Sequence, residues 1–315
     1  MERRDFERVV ECLSLAKDKT GNLLAMKNIT MSDANQTFSH NFMSDPGFTD
    51  LRSVSKVPLC MAVGAAIESG YRVWGEPLTS DTCIFPLLEP FAKGLAPQQI
   101  AALRKVRLRH LLSNTIGHAQ GFLFRKDIGD RKMDSLLEYI VETPIEYEPG
   151  SHFSYSNVGP YLVSVLVQSQ FGISLSDWVK ELIFGPIGIE SFIWNKYGDY
   201  VAGCTGLLLE SGDLHRIGQV LLNDGAWRGK QVVPKEWVNQ MRSPIVRSPE
   251  KYEPHRALPK FSYGFSLWVT ETGNYYCDGT DGQYLIVAPA QGVVISTTGS
   301  QADMKPITEC MRGVL

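Results

Sequence analysis

SVSKVPLCMAVGAAIESG, residues 53–70, opens on Ser53-Val54-Ser55-Lys56, continues as a long apolar run and stops at Gly70. The pattern predicts a helix over Ser53–Ser69, with Gly70 as its left-handed terminator. A spacing of three puts the Ser53 and Lys56 side chains on one helix face. The helix N-terminus adds unsatisfied backbone N–H groups and a partial positive charge around the serine. A serine hydroxyl is a poor nucleophile until an adjacent base takes its proton, and a lysine serves only where burial or neighbouring cations depress its pKa. The four letters are equally satisfied by Ser53 capping the helix with Lys56 solvated in its first turn. Ser14-Leu15-Ala16-Lys17 has the same form, and Lys19-Thr20-Gly21 follows it. Both sit at the end of the first helix, where the dipole has the wrong sign for an activated oxygen, and read as structural.

Outward from that segment, Phe6, Val9, Val10 and Leu13 repeat at helical spacing and predict a first helix over Asp5–Lys17. Leu23–Thr30 and Gln36–Phe42 read as a hairpin around Ser32-Asp33-Ala34-Asn35. Residues 72–254 are mostly helical, with predicted helices over Pro97–Leu112, Lys132–Thr143, Val158–Phe171, Leu175–Phe184, Ser211–Leu222 and Pro234–Met241. Short strands follow, Phe265–Thr270, Tyr275–Cys277, Tyr284–Pro289 and Val293–Thr298, and then a helix near Met304–Arg312. Residues 1–71 and 255–315 are therefore expected to combine into one discontinuous α/β domain, with 72–254 as an inserted helical domain.

The 315 residues are 43% hydrophobic and 21% charged, with net charge −3, as in a soluble globular protein. No apolar run approaches the roughly 20 residues of a spanning helix, so no membrane partner is expected. The largest basic cluster, Arg104-Lys105-Val106-Arg107-Leu108-Arg109, is short and interleaved with apolar residues, which disfavours nucleic acid as a partner. Cys12, Cys60, Cys83, Cys204, Cys277 and Cys310 are scattered, and free thiols in a reducing compartment are expected. The charged start Met1-Glu2-Arg3-Arg4 lacks the apolar core of a signal peptide, which predicts a cytoplasmic location. His40, His110, His118, His152, His215 and His255 show no metal-ligand spacing, so no metal is expected. A Gly-x-Ser-x-Gly elbow, a phosphate loop and a dinucleotide fingerprint are absent, and no cofactor is expected.

Tyr155-Ser156-Asn157 forms a second constellation, after Glu148-Pro149-Gly150-Ser151 and directly before the helix starting near Val158. A tyrosine beside a lysine ammonium can shuttle a proton, and the Asn157 amide can hold the lysine or a substrate carbonyl. A packed aromatic beside an N-capping asparagine would look the same.

Together, Ser53-x-x-Lys56 and Tyr155-Ser156-Asn157 resemble the motifs of class C β-lactamases, the related esterases and the penicillin-binding carboxypeptidases. Further segments are similar in the same order: Leu108-Arg109-His110-Leu111-Leu112-Ser113-Asn114-Thr115-Ile116-Gly117, Glu148-Pro149-Gly150, Gly185-Pro186-Ile187-Gly188-Ile189, Gly206-Leu207-Leu208 with Asp213-Leu214, and Trp227-Arg228-Gly229-Lys230. The resemblance implies an α/β (α+β), β-lactamase/transpeptidase-like fold, an antiparallel sheet flanked by terminal helices with a large inserted helical domain. It also implies acylation of Ser53, proton transfer by Lys56 and Tyr155, and orientation by Asn157.

The third motif departs from the family. Relatives carry Lys-Thr-Gly or His-x-Gly on a strand lining the site, where this chain reads Cys277-Asp278-Gly279-Thr280. Gly279 suits a backbone that approaches the substrate closely. By analogy, the N–H groups of Ser53 and Thr280 would form an oxyanion hole. Which of Cys277 and Asp278 faces the cleft depends on register, since a slip of one residue exchanges the faces. A cleft-facing Asp278 would repel a substrate carboxylate, which predicts poor turnover of anionic acyl donors. The resulting expectation is a serine hydrolase or acyltransferase acting on a small-molecule ester or amide. A penicillin-binding D,D-peptidase or β-lactamase is the enzymatic alternative, and a catalytically silent binding protein of the same fold the other. The oligomeric state is left open.

Overall fold

A computed structural model describes residues 2–129, 135–248 and 252–315. Its largest sheet has eight strands in the order Val246–Arg247, Ser262–Tyr263, Trp268–Val269, Tyr275–Gly279, Gln283–Ala288, Val293–Gly299, Met26–Ser32 and Thr37–Asn41, every neighbouring pair antiparallel. The hairpin turns where expected, with Ser32 opposite Thr37. There, Asp33 Oδ1 accepts from the backbone N–H groups of Asn35 (2.8 Å) and Gln36 (3.0 Å), a local alternative to the ladder that aspartate offers readily.

Period-two alternation then assigns the two faces. Ile29, Met31, Tyr276, Ile286 and Ile295 pack beneath the terminal helices Arg3–Leu15 and Lys305–Met311. Tyr275, Cys277, Leu285, Val287 and Val294 join the larger core shared with the other helices. That core is centred on the helix Lys56–Glu68, buried from Lys56 to Ala66. Gly64 admits the Trp237 indole, since a Cβ there would lie 2.1 Å from Trp237 Cδ1, and Trp237 Nε1 donates to the Cys60 carbonyl at 2.9 Å. The antiparallel sheet with terminal helices and helical layer is the β-lactamase/transpeptidase-like arrangement.

Several expectations are corrected. The helix Ser211–Leu222 packs on the sheet: a Cβ at Gly218 would meet Val294 Cγ1 at 2.5 Å, and His215 lies between Ser32 and Ser296. The strand Val246–Arg247 belongs to the sheet as well, so the 72–254 segment is not purely a helical insertion. Helical periodicity marks an apolar stripe without saying which layer buries it. Pro97–Leu112 divides into Pro97–Leu103 and Leu108–Leu112, because Arg107 pairs with Cys83 and the Leu108 N–H goes to the Thr82 carbonyl. The helix placed over Lys132–Thr143 is observed as Leu136–Glu142, and residues 132–134 lie outside the described residues.

The six cysteines are not all free: Cys12 and Cys310, on the two terminal helices, are disulfide-bonded with Cα atoms 5.5 Å apart. Their separation of 298 residues hid the pair from the sequence, and the case for a reducing compartment loses that support. Among the described residues no single helix is long and apolar enough to cross a membrane.

Candidate active site

The approach to Ser53 is built by a small sheet that the sequence did not reveal. Thr49–Asp50 pairs with Leu207–Leu209, which also pairs with Ile193–Trp194, and the Leu51 N–H donates to the Leu207 carbonyl at 2.8 Å. Arg52 then turns into the left-handed region at φ +53°. Such a conformation costs a non-glycine residue about 1–3 kcal/mol and persists only where the surroundings fix it. Here its N–H donates to Asp50 Oδ1 (2.9 Å), its Nη1 to Asp50 Oδ2 (2.7 Å) and its Nε to Asp281 Oδ2 (3.0 Å). Ser55 completes the turn, its Oγ donating to the Arg52 carbonyl (2.6 Å) and accepting from the Leu207 N–H (3.2 Å). Ser53 therefore sits in a 3-10 turn, Arg52–Ser55, and the α-helix starts at Lys56 rather than Ser53.

The Lys56 side chain is buried, and its Nζ lies 3.1 Å from Ser53 Oγ, 2.9 Å from Asn157 Oδ1 and 3.0 Å from the Cys204 carbonyl oxygen. The last two are acceptors only, so they fix two N–H bonds of the lysine. Its third valence points at Ser53 and can be an N–H when the lysine is charged or a lone pair when it is neutral. Asn157 is held in that orientation because its Nδ2 donates to the Leu123 carbonyl at 3.1 Å.

Tyr155 comes from a segment clamped by the loop before it. Ser156 Oγ donates to the Phe122 carbonyl (3.0 Å) and accepts from the N–H groups of Phe122 (3.3 Å) and Val158 (3.2 Å). The Ser156 N–H donates to Asn114 Oδ1 (3.0 Å) and the Ser154 N–H to the Asn114 carbonyl (3.0 Å). Gly121 must be glycine, since a Cβ there would lie 1.8 Å from the Tyr155 carbonyl oxygen. The Tyr155 ring stacks on Trp268, centroids 5.6 Å apart, and the Lys56 Nζ lies 5.1 Å from its centroid. Burial raises the proton affinity of the Tyr155 hydroxyl, the Asp278 carboxylate raises it further, and a hydrogen bond with Ser53 opposes both.

The third-motif strand resolves its register. Cys277 is buried in the larger core, its Sγ 4.0 Å from the Leu285 carbonyl oxygen, and burial pushes its thiol pKa well up. Its side chain faces the helical layer that carries Lys56. Asp278 takes the opposite face, where Oδ2 accepts from Lys260 Nζ (2.7 Å) and Oδ1 from Trp268 Nε1 (2.8 Å). Lys260 thereby compensates the Asp278 charge. Gly279 abuts the nucleophile turn: a Cβ would lie 2.3 Å from the Leu51 carbonyl oxygen and 2.8 Å from Arg52 Cβ. Thr280 is exposed at the strand's end. A cavity of about 720 Å³ opens beside Tyr155, walled by Gly121, Phe124, His152, Phe153 and Arg247. Among the described residues no three His, Cys, Asp or Glu side chains are grouped to hold a metal.

Sequence reasoning missed Arg52, Asn114, the Cys204 carbonyl, Lys260 and Trp268. Asn114 stands in the quoted Leu108–Gly117 segment, and its positive φ of 57° is a turn conformation asparagine tolerates, the one local signal available. Arg52 combines a local partner, Asp50, with the distant Asp281, and the Cys204 carbonyl, Lys260 and Trp268 act through tertiary contacts.

The family model described as Beta-lactamase matches residues 48–305, a span that contains every one of these groups. The chain belongs to the beta-lactamase family. Among curated proteins, a "Putative D-alanyl-D-alanine carboxypeptidase" of Escherichia coli (strain K12) is 37% identical over 75 residues, 24% of this chain and 16% of that protein. A protein of the same description from Salmonella heidelberg (strain SL476) is 27% identical over 136 residues, 40% of this chain and 30% of that protein. The matches thus span less than a third of those relatives' lengths. Among solved structures, "EstCE1, a hydrolase with promiscuous acyltransferase activity" aligns at TM-score 0.75 and 17% identity over 98% of each chain. Simvastatin synthase (LovD) from Aspergillus terreus aligns at TM-score 0.71 and 15% identity over 99% of this chain and 97% of that one. At these identities the two likenesses establish the fold of this beta-lactamase family member.

Proposed function

We propose that this protein transfers acyl groups from a small ester or amide through a covalent ester on Ser53. The observation that carries the reading is the Lys56 amine, 3.1 Å from Ser53 Oγ, with Asn157 Oδ1 and the Cys204 carbonyl taking its other donors. The Ser53 proton passes to Lys56 as Oγ bonds to the substrate carbonyl carbon. The N–H groups of Ser53 and Thr280 then meet the resulting oxyanion, as Gly279 holds its strand against the nucleophile turn. Collapse breaks the bond to the leaving group, which takes a proton from Tyr155, and Tyr155 recovers one from Lys56. Water, an alcohol or an amine enters by the reverse sequence, losing its proton to the same pair and releasing the acyl group from Ser53.

A second reading, cleavage of D-alanine-terminated peptides or β-lactams, has support from the descriptions of the curated relatives and from the compensated Asp278 charge. A panel of neutral p-nitrophenyl esters, β-lactams and D-alanyl peptides separates the two by relative kcat/KM. The nucleophile itself is tested by a fluorophosphonate probe with mass mapping. Label is expected on Ser53, Ser53→Ala should abolish labelling and ester hydrolysis, and Ser14→Ala should change neither. Label on another serine, or a fully active Ser53→Ala, sinks the assignment.

A further inference from the structure

Behind the groups that touch the reacting atoms, a set of side chains connects Tyr155 to the third-motif strand. Tyr155 and Trp268 lie nearly parallel, 16° apart, with centroids at 5.6 Å. The Lys260 ammonium lies 4.3 Å from the Trp268 ring centroid and bonds Asp278 Oδ2 at 2.7 Å, while Trp268 Nε1 bonds Asp278 Oδ1 at 2.8 Å. Both carboxylate oxygens are thereby occupied, and the Lys260 and Asp278 side chains are only 20% and 18% exposed, so water screens the pair weakly. Asp278 directly precedes Gly279, the residue pressed against the nucleophile turn.

We propose that Lys260, Asp278 and Trp268 form a positioning array for Tyr155, in which Trp268 fixes the phenol ring and Lys260 cancels the charge of the Asp278 carboxylate that anchors Trp268 behind it. The inference rests on the reading that Ser53 is acylated and Tyr155 moves a proton. Attack on a carbonyl builds negative charge on its oxygen, and an uncompensated carboxylate in the same half-buried region opposes that build-up. The same carboxylate makes Tyr155 a weaker acid toward the leaving group. Asp278 already raises the proton affinity of Tyr155, second only to burial. The other groups near Tyr155 are the Lys56 amino group, the Ser53 hydroxyl, the Cys204 and Cys277 thiols and the Tyr263 phenol. Burial holds both thiols and Tyr263 neutral by raising their pKa values. Lys260 is thus the cation that balances Asp278, leaving the carboxylate free to anchor the indole.

The test is a cycle of Lys260→Met, Asp278→Asn and the double variant, read by the acylation burst and by steady-state kcat and KM for a neutral p-nitrophenyl ester. Asp278→Asn keeps the acceptor for Trp268 Nε1 and removes the charge. Lys260→Met should slow acylation roughly 10- to 100-fold with KM nearly unchanged. Adding Asp278→Asn should restore the rate to within a few-fold of the parent, and Lys260→Arg should preserve it. A merely structural pair would instead show no rescue, because the double variant lacks the same ion pair. The inference is overturned if a folded Lys260→Met acylates at the parental rate, or if the double variant stays as slow as Lys260→Met. Should Lys260→Met not fold, Lys260→Gln in both backgrounds gives the same comparison. A Ser53→Ala protein that retains turnover would sink the acyl-enzyme reading instead, which keeps the two failures distinct.

Discussion

Replacing Gly279 by alanine should separate the oxyanion strand from the nucleophile turn while adding only one methyl group. The new Cβ would stand 2.3 Å from the Leu51 carbonyl oxygen, and ordinary contact begins near 3.4 Å, so strand and turn must part by about 1 Å. The obstacle is backbone, which cannot rotate aside. Arg52 restrains the turn through Asp50 and Asp281, and Gln283 restrains the strand end by bonding the carbonyls of Thr280 (3.3 Å), Asp281 (3.2 Å) and Gly299 (3.0 Å). Overpacking of this kind costs about 1–3 kcal/mol of stability. A misplacement of ~1 Å at a catalytic group costs ~100-fold in rate, and loss of one oxyanion donor 10²- to 10³-fold. Gly279→Ala should therefore lower kcat for a p-nitrophenyl ester by about 100-fold or more, with fluorophosphonate labelling of Ser53 slowed in parallel. Urea unfolding should show a midpoint drop matching 1–3 kcal/mol. Parental kcat in a folded Gly279→Ala protein would refute the placement of the oxyanion hole between Ser53 and Thr280.

Tyr155→Phe keeps the stack on Trp268 and removes only the hydroxyl, so turnover should fall about 10²- to 10⁴-fold with little change in thermal stability. Near-parental turnover in that variant would show that Lys56 alone moves the protons. His215 is buried between Ser296 Oγ (2.9 Å) and Ser32 Oγ (2.8 Å), and burial depresses its pKa from 6.5 to about 4. The unfolded chain binds the proton first, so stability is intact above pH ~6.5 and falls as the pH drops toward 4, by about 3 kcal/mol in all. Unfolding free energies at pH 7 and pH 4 should differ by that much less in His215→Gln than in the parent, and equal losses in the two proteins would remove His215 as the cause.

Legibility in the sequence followed the range of the interactions. Ser53 and Lys56 are three residues apart and Tyr155 and Asn157 two, so their relation is local and survives translation into one dimension. The helices Val158–Phe171 and Ser211–Leu222 match the expected bounds to the residue, their apolar positions recurring at helical spacing. Long-range contacts were invisible. Lys260 is 18 residues from Asp278, and without their bond the facing of Cys277 against Asp278 stayed open and the inferred repulsion had nothing to offset it. The 3-10 turn ahead of Lys56 departs from the expected helix in part because Arg52 is tied to Asp281, 229 residues away.

The pairing of Met26–Ser32 with Val293–Gly299 carries a consequence for how the chain comes into being. During synthesis the hairpin emerges early and waits with one edge open until the chain through Val293–Gly299 has followed. Contacts of such sequence separation are closed late and slowly. The helical layer can form around Lys56 beforehand, yet Gly279 and Thr280 arrive only with the closing strands. A nascent or partly folded chain therefore holds Ser53 and Lys56 without the strand that presses Gly279 against the nucleophile turn, until Met26–Ser32 and Val293–Gly299 meet.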